Sequence, residues 1–505
     1  MRRAVLIPVA ILFAALALQL RAHITRTSPT IDEPMHILAA YRHLRCGDFG
    51  INPEHPPLAK LVAAVPLVAM DLRDPLGPCV ERRTPTPVVI NAGGVFVAAN
   101  GVDRVTVPAR IATATFTFIL ALLVFLFAYE LFGTLPALLA LAVFTFEPVL
   151  LAHGSLVTTD VPLAAMFFAT VFAAHRYRTA PSVTRLIVTG VAAGLTLSVK
   201  HSGLLVLPIV VLLLWRHLRA CAGVLAIAVV VLFATYGFQL TPYFDGLHFV
   251  ATHTERQTWI WNRTYDGGQW FYFPLAFAIK ASIIVLALVP FALRTKQKLL
   301  LLVPPALVLA VSMSSGINIG VRHILVIWPF VIVAGAAVLS RFRVVAALLL
   351  LFHIASAIVA APDYLAWGNE LWRSRTYRIF KDSNVEWGQN TKLVRDYVAA
   401  NGITDCWFAA YGHGAISRSL QPCTLLPALG WTAGGTLVDP IPPTLRGTVF
   451  LSATVLPPRG SADYLPIVTR EPVDILGGSV LVYRGEFHVP ALAARVARVR
   501  ELQRR

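Results

Sequence analysis

Long apolar stretches separated by short polar links dominate the first 361 positions of the chain. A helix needs about 17 to 25 apolar residues to cross a hydrocarbon layer roughly 30 Å thick, and about eleven segments meet or approach that length. The first runs from Val5 to Leu20, and the others cover 107–127, 135–151, 161–174, 186–199, 203–215, 221–238, 271–293, 299–313, 323–339 and 344–361. The first follows Met1-Arg2-Arg3 and has the look of a cleavable leader, but no clear small-residue cleavage site comes after it, which predicts a retained span. Leu58 to Met70 is apolar yet too short to span, and reads as an interfacial or re-entrant helix.

After Pro362 the pattern changes. Ser383 and Glu386 have capping-box spacing ahead of a helix ending near Asn401-Gly402, with Leu393, Val394, Tyr397 and Val398 on one face. Residues 406–411, 448–455 and 479–483 read as short strands. Ala491 to Arg505 alternates Arg with small apolar residues at helical spacing, which suits either an anionic lipid surface or a frayed basic terminus. The expected fold is mainly α: a polytopic membrane domain over 1–361, and a small extracytoplasmic α/β domain over 362–505.

Composition agrees with that division. Hydrophobic residues make up 57% of the chain and charged ones 14%, against roughly 25% charged in soluble domains, which excludes a soluble fold. The formal net charge of +17 would ordinarily raise the question of nucleic acid. Much of it is accounted for by Arg176, Arg178, Arg185, Arg216, Arg219, Arg294, Lys296, Lys298, Arg341 and Arg343 in alternate links, as expected of cytoplasmic loops, so no nucleic-acid partner is expected. That pattern puts the N-terminus inside a bacterial cytoplasmic membrane. The 21–106 loop, the 239–270 loop and the tail then lie outside. Cys46 with Cys79 and Cys406 with Cys423 fall in outer segments, where either two disulfides or four unpaired thiols fit the spacing.

The residues able to carry chemistry gather at outer span ends. Asp32-Glu33-Pro34 follows the first span; either carboxylate can cap a helix whose first turn holds the proline, and a carboxylate so fixed is also a rigid general base. Asp160 in Thr158-Thr159-Asp160-Val161-Pro162 occupies a similar helix start on the same face. Glu54-His55-Pro56-Pro57-Leu58-Ala59-Lys60 places three ionisable types in one turn-rich segment. Lys200-His201 and Arg322-His323 are cation–histidine pairs suited to a phosphate emerging from the bilayer, although snorkelling at helix ends explains such cations equally well one at a time. Tyr243, Trp259, Trp261 and Gln269 in the 239–270 loop suit a sugar surface or an ordinary interfacial belt. Asp32, Glu33, Asp160 and nearby histidines also leave a divalent ion open, without diagnostic ligand spacing.

Several short motifs together resemble bacterial relatives of the protein O-mannosyltransferases, within the GT-C class of membrane-embedded glycosyltransferases that includes the lipid A aminoarabinose transferases. They are Asp32-Glu33, His55-Pro56-Pro57-Leu58-Ala59-Lys60, Leu151-Ala152-His153-Gly154 with Thr158-Thr159-Asp160, Lys200-His201-Ser202-Gly203, Gly320-Val321-Arg322-His323, and the run Asp382 to Gln389. The resemblance extends from the first span to about residue 400. It implies a polyprenyl-phosphate sugar donor, an outward-facing site and no nucleotide sugar. On matching positions Asp32 would deprotonate the acceptor hydroxyl, Glu33 and Asp160 would position acceptor or sugar, and Lys60, Lys200 and Arg322 would hold the phosphate. His201 and His323 would join them at the donor phosphate, and His55 and, from the 239–270 loop, Gln269 are weaker substrate-binding candidates. The tail differs from the eukaryotic mannosyltransferases, which leaves protein, lipid and glycan acceptors all open. The reaction expected is an inverting single displacement. The rival reading is a polytopic lipid or solute transporter, for which charges and broken helices near the bilayer midplane, and internal repeats, would be the signs.

Overall fold

The computed structural model describes residues 3–79, 86–253, 256–428, 439–457 and 461–504. Each apolar segment falls on a helix or a bent helix pair. Among the described residues four helices, Val5–Arg26, Val102–Phe132, Leu218–Thr235 and Arg343–Ala360, are long and apolar enough to cross a membrane singly. Two pairs cross only if each counts as one broken span: Thr134–Thr145 with Pro148–Gly154, bent by 63°, and Tyr272–Lys280 with Ile283–Ala292, bent by 119°.

Both breaks have local causes. A proline ring disfavours helical geometry in the residue before it, and Glu147, preceding Pro148, is extended with φ −78° and ψ 110°. At the second break Ala281 is extended and Ser282 caps the next helix by accepting from Val285 N. The two breaks meet: Glu147 accepts from Ser282 Oγ at 2.5 Å, Ser282 N at 3.3 Å and Trp328 Nε1 at 3.1 Å. A carboxylate inside an apolar bundle is tolerated only when satisfied in this way.

The 21–106 loop is more ordered than its polarity predicts. It holds helices Glu33–Cys46, Leu58–Ala64 and Thr86–Ala99, whose described side chains share a buried cluster with Ile37, Leu38, Ala63, Leu67 and Phe96. The third helix is absent from the sequence reading, because Asn91, Gly93 and Gly94 interrupt its apolar run. Those glycines have a use: a Cβ on Gly93 would lie 2.6 Å from the Pro34 carbonyl carbon, and one on Gly94 2.7 Å from His413 Nδ1. The helix thus seats directly against the Asp32–Pro34 segment. A disulfide joins Cys46 to Cys79 at a Cα separation of 5.1 Å, and another joins Cys406 to Cys423 at 4.7 Å.

Past Pro362 lies a five-stranded sheet. A separate hairpin, β1 (Thr258–Ile260) and β2 (Arg263–Tyr265), precedes it. The sheet is built from β3 (Cys406–Ala409), β4 (Thr424–Leu425), β5 (Thr444–Ser452), β6 (Asp474–Leu476) and β7 (Val480–His488), in the order β4-β3-β5-β7-β6. β3 runs parallel to β4 and β5, while β7 is antiparallel to β5 and β6. Helix Thr391–Ala400 packs Val394 and Val398 against Phe408 and Phe450 of the sheet. Its N-cap is Asn390 rather than the expected Ser383–Glu386 box, because Asp382–Asn384 forms a separate 3-10 turn drawn toward the spanning helices. Ala409, Tyr411, Val449 and Leu451 belong to the same buried cluster as the spanning helices, so the sheet is packed onto the bundle.

Candidate active site

The segment between the first helix and helix Glu33–Cys46 is pinned by backbone pairing. Ser28 N donates to Gln389 O at 2.8 Å, and Ile31 N donates to Trp387 O at 2.7 Å. Asp32 occupies the N-cap of the next helix, with Pro34 in its first turn, yet its carboxylate makes no capping hydrogen bond. Its Oδ2 lies 3.1 Å from Arg322 Nη1 instead. Arg322 stands on the 3-10 turn Val321–Ile324, with its guanidinium 4.2 Å from the Trp387 ring centroid. Ser383 Oγ donates to Ile319 O and Val321 N donates to Asn384 Oδ1, both at 2.8 Å, tying that turn to Asp382–Asn384. Gly320 permits the approach, since a Cβ there would meet Ser383 Oγ at 2.0 Å.

The same Arg322 Nη1 lies 3.6 Å from Asp160 Oδ2, and Lys200 Nζ donates to Asp160 Oδ1 at 2.7 Å. Asp160 likewise spends its carboxylate on cations. Asp32, Lys200, Arg322 and Trp387 line a cavity of about 420 Å3 together with His55, His201, His323, Arg256, Asp382 and Tyr411, while the buried Asp160 stands behind Lys200 and Arg322 and does not line it. Apolar side chains complete the wall, among them Leu163, Phe167, Phe273, Val308 and Val326. Arg322 Nε and His323 Nε2 have no hydrogen-bond partner among the described residues. The Asp32 side chain is 25% exposed. Burial holds its carboxyl above the usual carboxylate range; Arg322 opposes that shift, while the charges of Asp382 and Asp160 add to it.

Besides Asp160, three expected site residues stand outside the cavity lining. Glu33, beside Asp32, faces the opposite way: Arg110 Nε and Nη2 donate to its two oxygens at 2.7 and 2.6 Å, and Thr30 N and Val157 N donate at 2.7 and 2.9 Å. Its side chain is wholly buried, away from the cavity lining, and its carboxylate is committed to Arg110 and to backbone N–H groups. Lys60 is also buried; its ammonium donates to Asn52 O at 2.9 Å and Asn52 Oδ1 at 3.3 Å, and burial lowers its pKa to about 7. An ammonium so engaged makes a poor phosphate partner. Gln269 lies outside the cavity lining, and its backbone carbonyl accepts from Asn318 Nδ2 at 3.1 Å. His201 lines the cavity while its Nε2 pairs with Pro53 O at 3.3 Å, and His55 lies edge-on to His36 with centroids 4.8 Å apart.

Sequence reasoning missed Asp382, Arg256 and Tyr411 as site residues. Asp382 stands in one of the quoted motifs, and Arg256 is a cation set among aromatics, so a signal existed for both. Tyr411 follows a strand and carries no local signal. For the divalent ion left open above, no group of three His, Cys, Asp or Glu side chains arranged to hold a metal occurs among the described residues. Glu33, one of the candidate ligands, is saturated by Arg110.

Residues 96–241 match the family model described as dolichyl-phosphate-mannose-protein mannosyltransferase. The matched stretch contains Asp160, Lys200 and His201, while Asp32, Arg322 and Asp382 lie outside it. The resemblance drawn from the short motifs therefore has independent support over this part of the chain. No curated protein matches. Among solved structures, ArnT from Cupriavidus metallidurans in the apo state is similar at 16% identity over 97% of this chain and 98% of that one, with a TM-score of 0.48. The same protein bound to undecaprenyl phosphate gives 15% identity over 96% and 98%, and a TM-score of 0.47. The S. cerevisiae Pmt1-Pmt2 protein O-mannosyltransferase complex bound to the sugar donor gives 22% identity over 50% of this chain and 34% of that one, with a TM-score of 0.31.

Proposed function

We propose that this protein is a GT-C glycosyltransferase that moves a sugar from a polyprenyl-phosphate carrier to an acceptor hydroxyl at the outer face of a bacterial cytoplasmic membrane. The observation that carries this reading is a single cavity in which carboxylates and cations share the wall with apolar side chains. A lipid phosphate needs cations at its head and an apolar path for its chain, and an acceptor hydroxyl needs a base. Arg322 and Lys200 supply the charge for the phosphate, with the uncommitted Arg322 Nε available to it. Asp32 takes the hydroxyl proton as the acceptor oxygen bonds to the anomeric carbon. The bond from that carbon to the phosphate oxygen breaks, and the electron pair leaves with the phosphate, which the cations stabilise. Displacement from the face opposite the phosphate inverts the anomeric centre. In this reading residues 1–361 form the membrane domain with a cytoplasmic N-terminus, and 362–505 the outer domain.

Broken helices are a feature that a transporter would use. Here the two breaks are stitched together by Glu147, which does not line the cavity, and this favours transfer over transport. Membranes bearing the native protein, supplied with a panel of radiolabelled undecaprenyl-phosphate hexoses and pentoses, are expected to pass label to an acceptor. Lipid movement across a vesicle bilayer without loss of sugar from the carrier would put the transporter in its place.

A further inference from the structure

Besides Asp32, two carboxylates line the cavity, Glu54 and Asp382, and the reaction just described uses neither. Asp382 lines it from the opposite part of the chain, on the turn between the spanning helices and the sheet. Its backbone is held at φ 60°, a left-handed conformation that a residue with a side chain seldom adopts. Three contacts impose that geometry: Asp382 N donates to Thr454 Oγ1 at 2.9 Å, Ser383 N donates to Asp382 Oδ1 at 2.8 Å, and Tyr411 OH donates to Asp382 Oδ2 at 3.0 Å. Thr454 follows β5 and Tyr411 follows β3, so one loop of the sheet holds the backbone of Asp382 and another holds its carboxylate. Strain of this kind persists only where the surroundings over-determine it.

Its chemistry narrows what Asp382 can do. An ionised carboxylate only accepts hydrogen bonds, so it repels the donor phosphate and suits hydroxyls. Tyr411 also lines the cavity, and its ring packs into the buried core beneath. Asp382 and Tyr411 line the same cavity as Asp32 and Arg322, and the Asp382 charge acts on both of those groups, so a sugar held between base and cations comes within reach of the Asp382 carboxylate.

We propose that Asp382, aimed by Tyr411, binds hydroxyl groups of the donor sugar, so that the sheet-bearing tail selects which sugar the membrane bundle transfers. This rests on the glycosyltransferase reading above and adds a specificity site to it. Asp382 is the binding residue and Tyr411 a positioning residue. A site built to hydrogen-bond a hydroxyl discriminates strongly against the analogue that lacks it.

The test pairs enzyme variants with substrate variants. Full-length native protein, Asp382→Asn and Tyr411→Phe in membranes are given undecaprenyl-phosphate-linked mannose, glucose, galactose and arabinose, then singly deoxygenated analogues of whichever sugar the native protein transfers. Asn also tolerates left-handed geometry, so the first substitution preserves the turn, and Phe preserves the packing of the ring. The expected result is one deoxy analogue for which native KM rises about tenfold or more, with that penalty abolished in Asp382→Asn and reduced in Tyr411→Phe. If Asp382→Asn slows the parent sugar and every analogue by one common factor, Asp382 is structural and the proposal falls while the transferase reading stands. If the native protein transfers none of the sugars, both fall together.

Discussion

Two buried arginines in this molecule each hold a carboxylate from the same dipeptide, and they are used in opposite ways. Arg110 is saturated: besides Glu33 it donates to Ile24 O, Thr27 O and Oγ1, and Ser28 O, all within 3.1 Å. Arg322 bridges Asp32 and Asp160 through one nitrogen, leans on Trp387 and lines the cavity, and its Nε has no hydrogen-bond partner among the described residues. A fully paired buried charge has nothing left to offer a ligand, whereas an under-paired one keeps desolvated bonding capacity that a phosphate can use. Local saturation, more than charge or burial, separates the fastening from the chemistry.

The comparison breaks most sharply at the carboxylates. Asp32→Asn is expected to cut transfer by about 100- to 10,000-fold, the range for loss of a general base, with thermal unfolding in detergent unchanged. Retained turnover would remove Asp32 from the mechanism. Glu33→Gln is expected to do the reverse, costing roughly 3–5 kcal/mol of stability by leaving Arg110 uncompensated. Native-like unfolding together with lost transfer would show that the two residues had been assigned the wrong way round.

Arg322→Lys sharpens the contrast at smaller scale. Lysine keeps the charge but loses the planar stack on Trp387 and the reach to two carboxylates, so kcat/KM should fall by about 10- to 100-fold. The smallest effect concerns pH. The Asp32 carboxyl must be ionised to accept a proton, and its pKa is raised by burial, with Asp382 and Asp160 reinforcing the shift and Arg322 and Arg256 opposing it. Transfer should therefore fall as pH drops through a value above the ordinary carboxylate pKa of about 3.9. Removing one like charge in Asp382→Asn should move that acid limb to lower pH; a limb moving upward would contradict the placement of Asp382 near the base.

The particular residues show what was legible before the fold was known. Asp32, Asp160, Lys200 and Arg322 could be picked out because ionisable residues at the ends of apolar runs are costly and so informative. Arg110 carried the same signal, a cation two turns inside helix Val102–Phe132 where an apolar run begins, and its need for a buried partner could have exposed Glu33 as that partner. Lys60 and Gln269 fall outside the cavity lining, which their sequence could not show, because a polar residue in an outer loop reads alike whether it meets a ligand or the backbone. The helix Thr86–Ala99 was hidden by the very glycines that let it reach Pro34.

The sequence by itself determined the apolar helices, their order and the polar character of their ends, because transfer of side chains from water to an apolar phase sums along a contiguous segment. It determined the strand-forming tail for a similar local reason. Which of two adjacent carboxylates faces a cavity was decided only by tertiary structure, since Glu33 finds its arginine 77 positions away while Asp32 finds Arg322 on a different turn of the bundle. The placing of Asp382 and Tyr411 at that cavity was decided in the same way, by docking of the sheet onto the bundle. Hydrogen bonds and ion pairs between residues distant in sequence leave no periodic trace along the chain, so the site becomes visible only when the chain has folded.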